Sequence, residues 1–186
     1  MTSYFDSIYS FSQVKQTEQG IDRVEYLKAC KDLVKIFDYL NATAFSPVKK
    51  DLLGNIATLE GTKEERLDQL IQKGELEKGG TCTCALLWLN RGLNFTNTAL
   101  SLAIQNPQKE LSECFSMAYT QTLSKYHSFL IKPIFSLAMK AVPYRKDFYV
   151  NLSGGKTEQD IMEKQKAWVD SLSIIVEKTH TLLGMQ

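Results

Sequence analysis

Four prolines and ten glycines in 186 residues are too few to punctuate the many short strands of a sandwich or barrel. Long uncharged stretches are also missing, and none reaches the roughly 18 residues a membrane-spanning helix needs. The N-terminus, Met1 to Asp6, lacks the basic-then-apolar run of a secretion signal. Charge of one sign is absent as well: 22 Lys and Arg against 21 Asp and Glu leave a net charge of +1, so no broad field attracts nucleic acid. The four cysteines, Cys30, Cys82, Cys84 and Cys114, are irregularly spaced, and a chain of this size needs no disulfides. They read as reduced thiols of a cytoplasmic protein.

What is present is core-forming material. With 44% apolar and aromatic residues and 23% charged, the composition is that of one globular domain over residues 1–186 rather than a disordered chain. Leu27, Cys30, Val34, Phe37 and Leu40 recur at helical intervals and predict a core-facing helix over Val24 to Leu40. Ser46-Pro47 predicts a helix start, with Ser46 as cap and the helix running to about Leu59. Gly61 to Lys78 reads as a charged surface helix with breaks at Gly74, Gly79 and Gly80. Thr81 to Ile104 is apolar around most of its circumference, which places it mid-fold, and Asn106-Pro107 ends it. Further helices are expected over Leu111 to Lys125 and over Tyr126 to Ala141, the latter kinked or restarted at Pro133. Thr157 and Asp160 resemble a capping box before a final helix carrying Ile161, Trp168, Leu172, Ile175 and Leu182. No segment alternates with a two-residue period, so the fold class is all-α.

Catalytic templates are empty. There is no phosphate-cradling glycine loop, no Gly-x-Ser-x-Gly and no HExxH, and His127 and His180 are the only histidines. Cys82-x-Cys84 lacks a second ligand pair, so no metal is expected. Three polar features remain. Asp51 and Asn55, four apart, share one helix face and combine an acceptor with a donor–acceptor. Trp88 and Arg91, three apart, pair a flat ring with a fork of donors. His127 stands between Tyr126 and Phe129 in an apolar run. Taken alone, these also fit a solvated helix face, core packing with a carboxylate partner for Arg91, and a satisfied core histidine.

In order along the chain, Phe45-Ser-Pro-Val-Lys-Lys-Asp51-Leu-Leu-Gly-Asn55-Ile, Leu86-Leu-Trp88-Leu-Asn-Arg91-Gly-Leu-Asn-Phe95, Tyr126-His127-Ser-Phe129 and Pro143-Tyr-Arg-Lys-Asp-Phe148 resemble the glycolipid transfer protein family. His127 to Phe135 is most similar to its fungal heterokaryon-incompatibility branch. The resemblance is close over about residues 25 to 152 and looser in the final helix. It implies a two-layer helical sandwich of about eight helices, no cofactor, and a carrier rather than an enzyme. It implies that Asp51 and Asn55 hydrogen-bond the sugar headgroup and ceramide amide of a glycosphingolipid. Trp88 would lie under the first sugar, and His127 would bond the amide carbonyl. It places an apolar chain tunnel among Phe37, Phe95, Leu123, Phe135, Phe148 and Trp168, and membrane contact at Phe129, Leu130, Lys132 and Tyr144. A monomer making transient contact with membranes is expected.

Thr58 stands where many glycolipid-selective relatives carry a lysine, which puts the hold on a second sugar or a sulfate in question. The C-terminal tail, Leu183 to Gln186, also lacks a tyrosine that some relatives place near the amide. Two other readings compete: transfer of ceramide-1-phosphate, disfavoured because Asn55 and Trp88 stand where that branch is expected to carry basic residues, and a helical protein-interaction module that has lost its lipid.

Overall fold

A computed structural model describes residues 2–76 and 80–184. Among them every regular element is helical, and only two isolated bridges, Gln16 with Ile21 and Asp22 with Arg66, have strand-like pairing. The chain opens with a single turn, α1 (Tyr4–Ser7), and a short 3-10 turn at Phe11–Gln13. The main helices are α2 (Arg23–Val34), α3 (Ile36–Asn41), α4 (Ser46–Glu60), α5 (Leu67–Leu76), α6 (Thr81–Gln105) and α7 (Leu111–Gln121). They are followed by α8 (Lys132–Lys140), α9 (Arg145–Leu152) and α10 (Met162–Leu182). They stack in two layers. The all-round apolar α6 lies in the middle, against α4, α5, α7 and α10.

Its burial follows from its sequence. Leu86, Leu89, Leu93, Phe95, Ala99, Leu100 and Ala103 point in several directions around the helix, and all are excluded from solvent. Gly92 lets α4 approach: a Cβ there would stand 2.5 Å from Leu52 Cδ2. Arg145 closes the far end of α6. Its guanidinium donates to the carbonyls of Ala103 (2.8 Å), Lys109 (3.1 Å) and Asn106 (3.3 Å) and pairs with Glu158. A cation is thereby placed where the helix dipole is negative and its last carbonyls lack partners.

Several sequence expectations need correction. Val24 to Leu40 is two helices, because Lys35 adopts a tight turn and donates its amide to Asp32 and Leu33. Ser46 does not cap α4: it is the first helical residue, Phe45 holds the cap position without a side-chain bond, and Pro47 lies in the first turn as expected. The charged surface helix expected from Gly61 begins only at Leu67, as α5, and packs Leu67, Leu70 and Ile71 into the core. Its expected breaks behave differently. Gly74 lies inside α5, Gly80 takes a left-handed φ of 39° before α6, and Lys78 and Gly79 lie outside the described residues.

Residues Tyr126 to Ile131 are a turn, not helix, and α7 ends at Gln121 rather than Lys125. Of the two outcomes expected at Pro133, the restart is the one found: α8 begins at Lys132 with Pro133 in its first turn, where a missing amide costs nothing. Asp160 accepts from the amide (2.8 Å) and hydroxyl (2.6 Å) of Thr157, yet this knot sits one turn ahead of α10, whose cap is Ile161. The short helices α1 and α9 were not anticipated.

Candidate functional site

Between α4, α6 and the turn leading into α8 lies a cleft of about 350 Å³. Val48, Leu52, Leu123, Ile131 and Phe135 give it apolar walls, and Asp51, Asn55, Trp88 and His127 supply its polar and aromatic groups. The four residues singled out from sequence for a headgroup therefore meet in one place, although they come from three separate segments. Helical spacing on α4 sets the first pair. Asn55 Nδ2 donates to the Asp51 backbone carbonyl at 3.0 Å and lies 3.4 Å from its carboxylate, so the two side chains are braced against each other. Loss of solvation beside the cleft holds the Asp51 carboxyl above its ordinary value.

Across the cleft Trp88 is half-buried. The His127 ring lies nearly parallel to it, 6.3 Å between centroids at 17°, and Tyr126 meets it edge-on at 6.4 Å. The Arg91 guanidinium sits 3.6 Å over Tyr126 and 4.7 Å over Trp88, so it braces both rings from behind. His127 Nδ1 lies 3.1 Å from the Tyr119 hydroxyl. When the phenol donates to Nδ1, the ring proton rests on Nε2. Burial, helped by the nearby Lys132 charge, pushes the His127 pKa below its usual value, so the imidazole is neutral at neutral pH.

The expected chain pocket divides. Leu123 and Phe135 line the cleft. Phe37, Phe95 and Phe148 do not line it and are fully buried; Phe37 stacks on Phe45 at 5.5 Å, and Phe45 and Phe95 both pack edge-on against Phe115. Trp168 is elsewhere, beneath the N-terminal segment, with the rings of Phe5 and Phe11 at 5.8 Å and Tyr4 at 6.2 Å. None of those three rings lines the cleft. Of the expected membrane residues, Phe129 (81%), Tyr144 (74%) and Leu130 (66%) are strongly exposed, and Lys132 is exposed as well. Ile131, Ile134 and Leu137 extend the exposed apolar surface.

Thr58 turns its hydroxyl back onto the Gly54 carbonyl at 3.1 Å and offers no charge to the cleft. Tyr119 is the partner that sequence reading missed. It reaches His127 only because α7 ends between them, and no local pattern announces a bond across that break. Among the described residues no cluster of His, Cys, Asp or Glu could hold a metal. None of the described helices is long and apolar enough to cross a membrane.

A helical body with a cleft that is polar at its rim and apolar below defines a binding protein for a ligand with a polar end and a greasy remainder. The profile described as Glycolipid transfer protein (GLTP) matches residues 21–154. A Glycolipid transfer protein from Aureobasidium melanogenum is 41% identical over 189 residues, covering 98% of this chain and 93% of the relative. The human pleckstrin homology domain-containing family A member 8 is 32% identical over 155 residues, covering 77% of this chain but only 30% of that longer protein. Among solved structures, the fungal glycolipid transfer protein HET-C2 superposes with a TM-score of 0.90 at 38% identity, covering 99% of this chain and 98% of the other. Mouse ceramide-1-phosphate transfer protein has a TM-score of 0.86 at 19% identity, covering 99% and 96%, a likeness of fold alone. This chain belongs to the glycolipid transfer protein family.

Proposed function

We propose that the chain binds a glycosphingolipid, sugar and ceramide amide in the cleft, and carries it between membranes without an energy source. The observation that carries this reading is the convergence of Asp51, Asn55, Trp88 and His127 on one half-open cleft floored by Leu52, Leu123 and Phe135. A sugar has hydroxyls at its edge and C–H bonds on its faces, so it suits a carboxylate and a carboxamide beside an indole plate. Neutral His127, with Tyr119 occupying Nδ1, offers an Nε2–H to the amide carbonyl. The lipid chains enter past Leu123 and Phe135 and part the packed rings of Phe37, Phe95 and Phe148 behind them. Trp168 belongs to a separate aromatic cluster and is left out of this tunnel.

Carriage needs this shelter. At roughly 0.8 kcal/mol per methylene, a chain of about 16 carbons resists transfer to water by on the order of 13 kcal/mol. An apolar interior removes most of that cost, and the polar rim selects the cargo. Phe129, Leu130, Lys132 and Tyr144 form the contact with the bilayer, apolar tips for the headgroup region and a cation for its phosphates. The near-zero net charge lets the protein leave again. We read the working form as a cytoplasmic monomer.

Vesicle-to-vesicle transfer of galactosylceramide and ceramide-1-phosphate, measured side by side, tests the proposal. Preference for the uncharged sugar lipid is expected, because the cleft holds an unpaired carboxylate where a phosphate would need cations. Preference for the phosphate, or transfer of neither, overturns it.

A further inference from the structure

On the other side of Trp88 and Tyr126 lies a second, polar hollow of about 210 Å³, formed where α6, the turn after α7 and α10 meet. Its charged groups are divided by wall. Arg91 on α6 and Lys125 on the turn face Glu177 on α10, with carboxamides, a hydroxyl and the His180 ring also lining the space. Yet the walls do not pair: among the described residues no carboxylate lies within ion-pair distance of Arg91 or Lys125, and no cation lies that close to Glu177. Arg91 Nε and the Oδ1 of buried Asn90 also have no hydrogen-bond partner, although Asn90 Nδ2 donates to the Val176 carbonyl at 3.3 Å. The orphaned Arg91 Nε and Asn90 Oδ1 are the costly part, since a buried polar atom without a partner has lost its water for nothing, whereas exposed Lys125 and Glu177 stand free to reach a ligand.

We propose that this hollow is a binding site for a small zwitterion of the phosphate–amine kind, distinct from the lipid cleft. The oxyacid group sits against the Arg91 fork and the Lys125 ammonium, and the amine sits against the Glu177 carboxylate. Asn94, Gln121 and the Asn90 carboxamide, all with hydrogen-bonding capacity of their own, line the space between. The same Arg91 that receives the oxyacid stacks on Trp88 and Tyr126, so occupancy here bears on the aromatic wall of the lipid cleft.

Phosphoethanolamine is the probe, titrated into the full-length isotope-labelled protein while the Arg91 Nε–Hε resonance is followed, with inorganic phosphate and ethanolamine titrated separately. Saturable shifts are expected, with phosphoethanolamine about tenfold tighter than either half alone. Glu177→Gln is expected to bring its affinity down to that of phosphate, and Lys125→Met to weaken both phosphate-bearing probes. Both side chains are exposed or rim residues, and circular dichroism confirms that each variant is folded. Where phosphoethanolamine does bind, equal binding of phosphate or an unchanged Glu177→Gln variant overturns the proposal. Vesicles of phosphatidylethanolamine with phosphatidylcholine, against phosphatidylcholine alone, separate the sources. A response to the free compound assigns a soluble ligand, a response to the ethanolamine vesicles alone assigns a membrane headgroup, and a response to neither overturns the site.

Discussion

Asp51 is the residue on which the proposed headgroup contact turns, because it is the one full negative charge on the cleft and no cation of the cleft pairs with it. Asp51→Val should reduce vesicle transfer of galactosylceramide by about tenfold or more, the loss of a charge-assisted hydrogen bond with its partner left unsatisfied. The helical circular dichroism should stay as it is and the melting temperature should not fall, since the side chain is largely exposed and its carboxylate adds no stability; survival of transfer would remove Asp51 from the site. Tyr119→Phe deletes the hydroxyl on His127 Nδ1 and frees the ring tautomer. A loss of about 1 kcal/mol in lipid affinity, read by fluorescence titration, is expected from that single bond.

The two titrating groups set a pH dependence. The His127 pKa is depressed by burial, so the stabilisation from keeping the ring neutral is present above the unfolded value and is lost as pH falls through the lower folded value. The Asp51 pKa is raised by desolvation, so its carboxylate is a cost to folding that acidification relieves, while the acceptor needed for the sugar disappears. Lipid binding should therefore hold steady from neutral pH down past the ordinary histidine range. It should then decline at a pH above that of an unperturbed aspartate, followed by binding isotherms across a pH series. These residue pairs were legible in the sequence because helical spacing joins Asp51 to Asn55. The bond from Tyr119 to His127 was not, because it spans the end of a helix.

At the scale of elements, Gly92 decides how closely α4 and α6 approach. Gly92→Ala places a methyl 2.5 Å from Leu52 Cδ2, and relief requires Leu52 to move or α4 to shift, either of which disturbs the spacing between Asp51 and Trp88. Denaturant unfolding should show a loss of about 1–3 kcal/mol, the range for overpacking a core. Leu52→Ala in the same chain should recover part of it, which a purely backbone effect of the glycine would not. The helices themselves were well announced where one apolar stripe or one proline did the signalling: α4 begins at Ser46-Pro47, and α6 ends at Gln105, with Asn106 as its cap before Pro107. They were misread where tertiary partners decide. Nothing local marks Lys35 as a turn, and the apolar run from Tyr126 to Ile131 looks helical until Pro133 withholds its amide. α9 is short, and what holds its start is the long-range grip of Arg145 on the end of α6 rather than any pattern of its own.

For the whole molecule, the exposed apolar end and the cleft open near one another, since His127 and Ile131 line the cleft while Phe129 and Leu130 between them face solvent. Replacing both Phe129 and Leu130 with Ala should weaken binding to phosphatidylcholine vesicles at least tenfold, given about 1.5–3 kcal/mol for each fully buried apolar side chain. Affinity for a short-chain glycolipid dissolved in buffer should be unchanged, and co-sedimentation set beside solution titration separates the two. This surface could be suspected from sequence because Phe129 is followed by Leu130 and Lys132, but only the fold shows that the turn carrying it also forms the cleft wall.

Phe37, Phe95 and Phe148 are fully buried, Phe37 stacked on Phe45, Phe95 edge-on to Phe115 and Phe148 edge-on to Tyr149. If these rings part for the lipid chains as proposed, they open and close at the same cost at either membrane, because no energy source drives them. Travel in the two directions is then comparably easy, and net flow follows whichever membrane is richer in cargo.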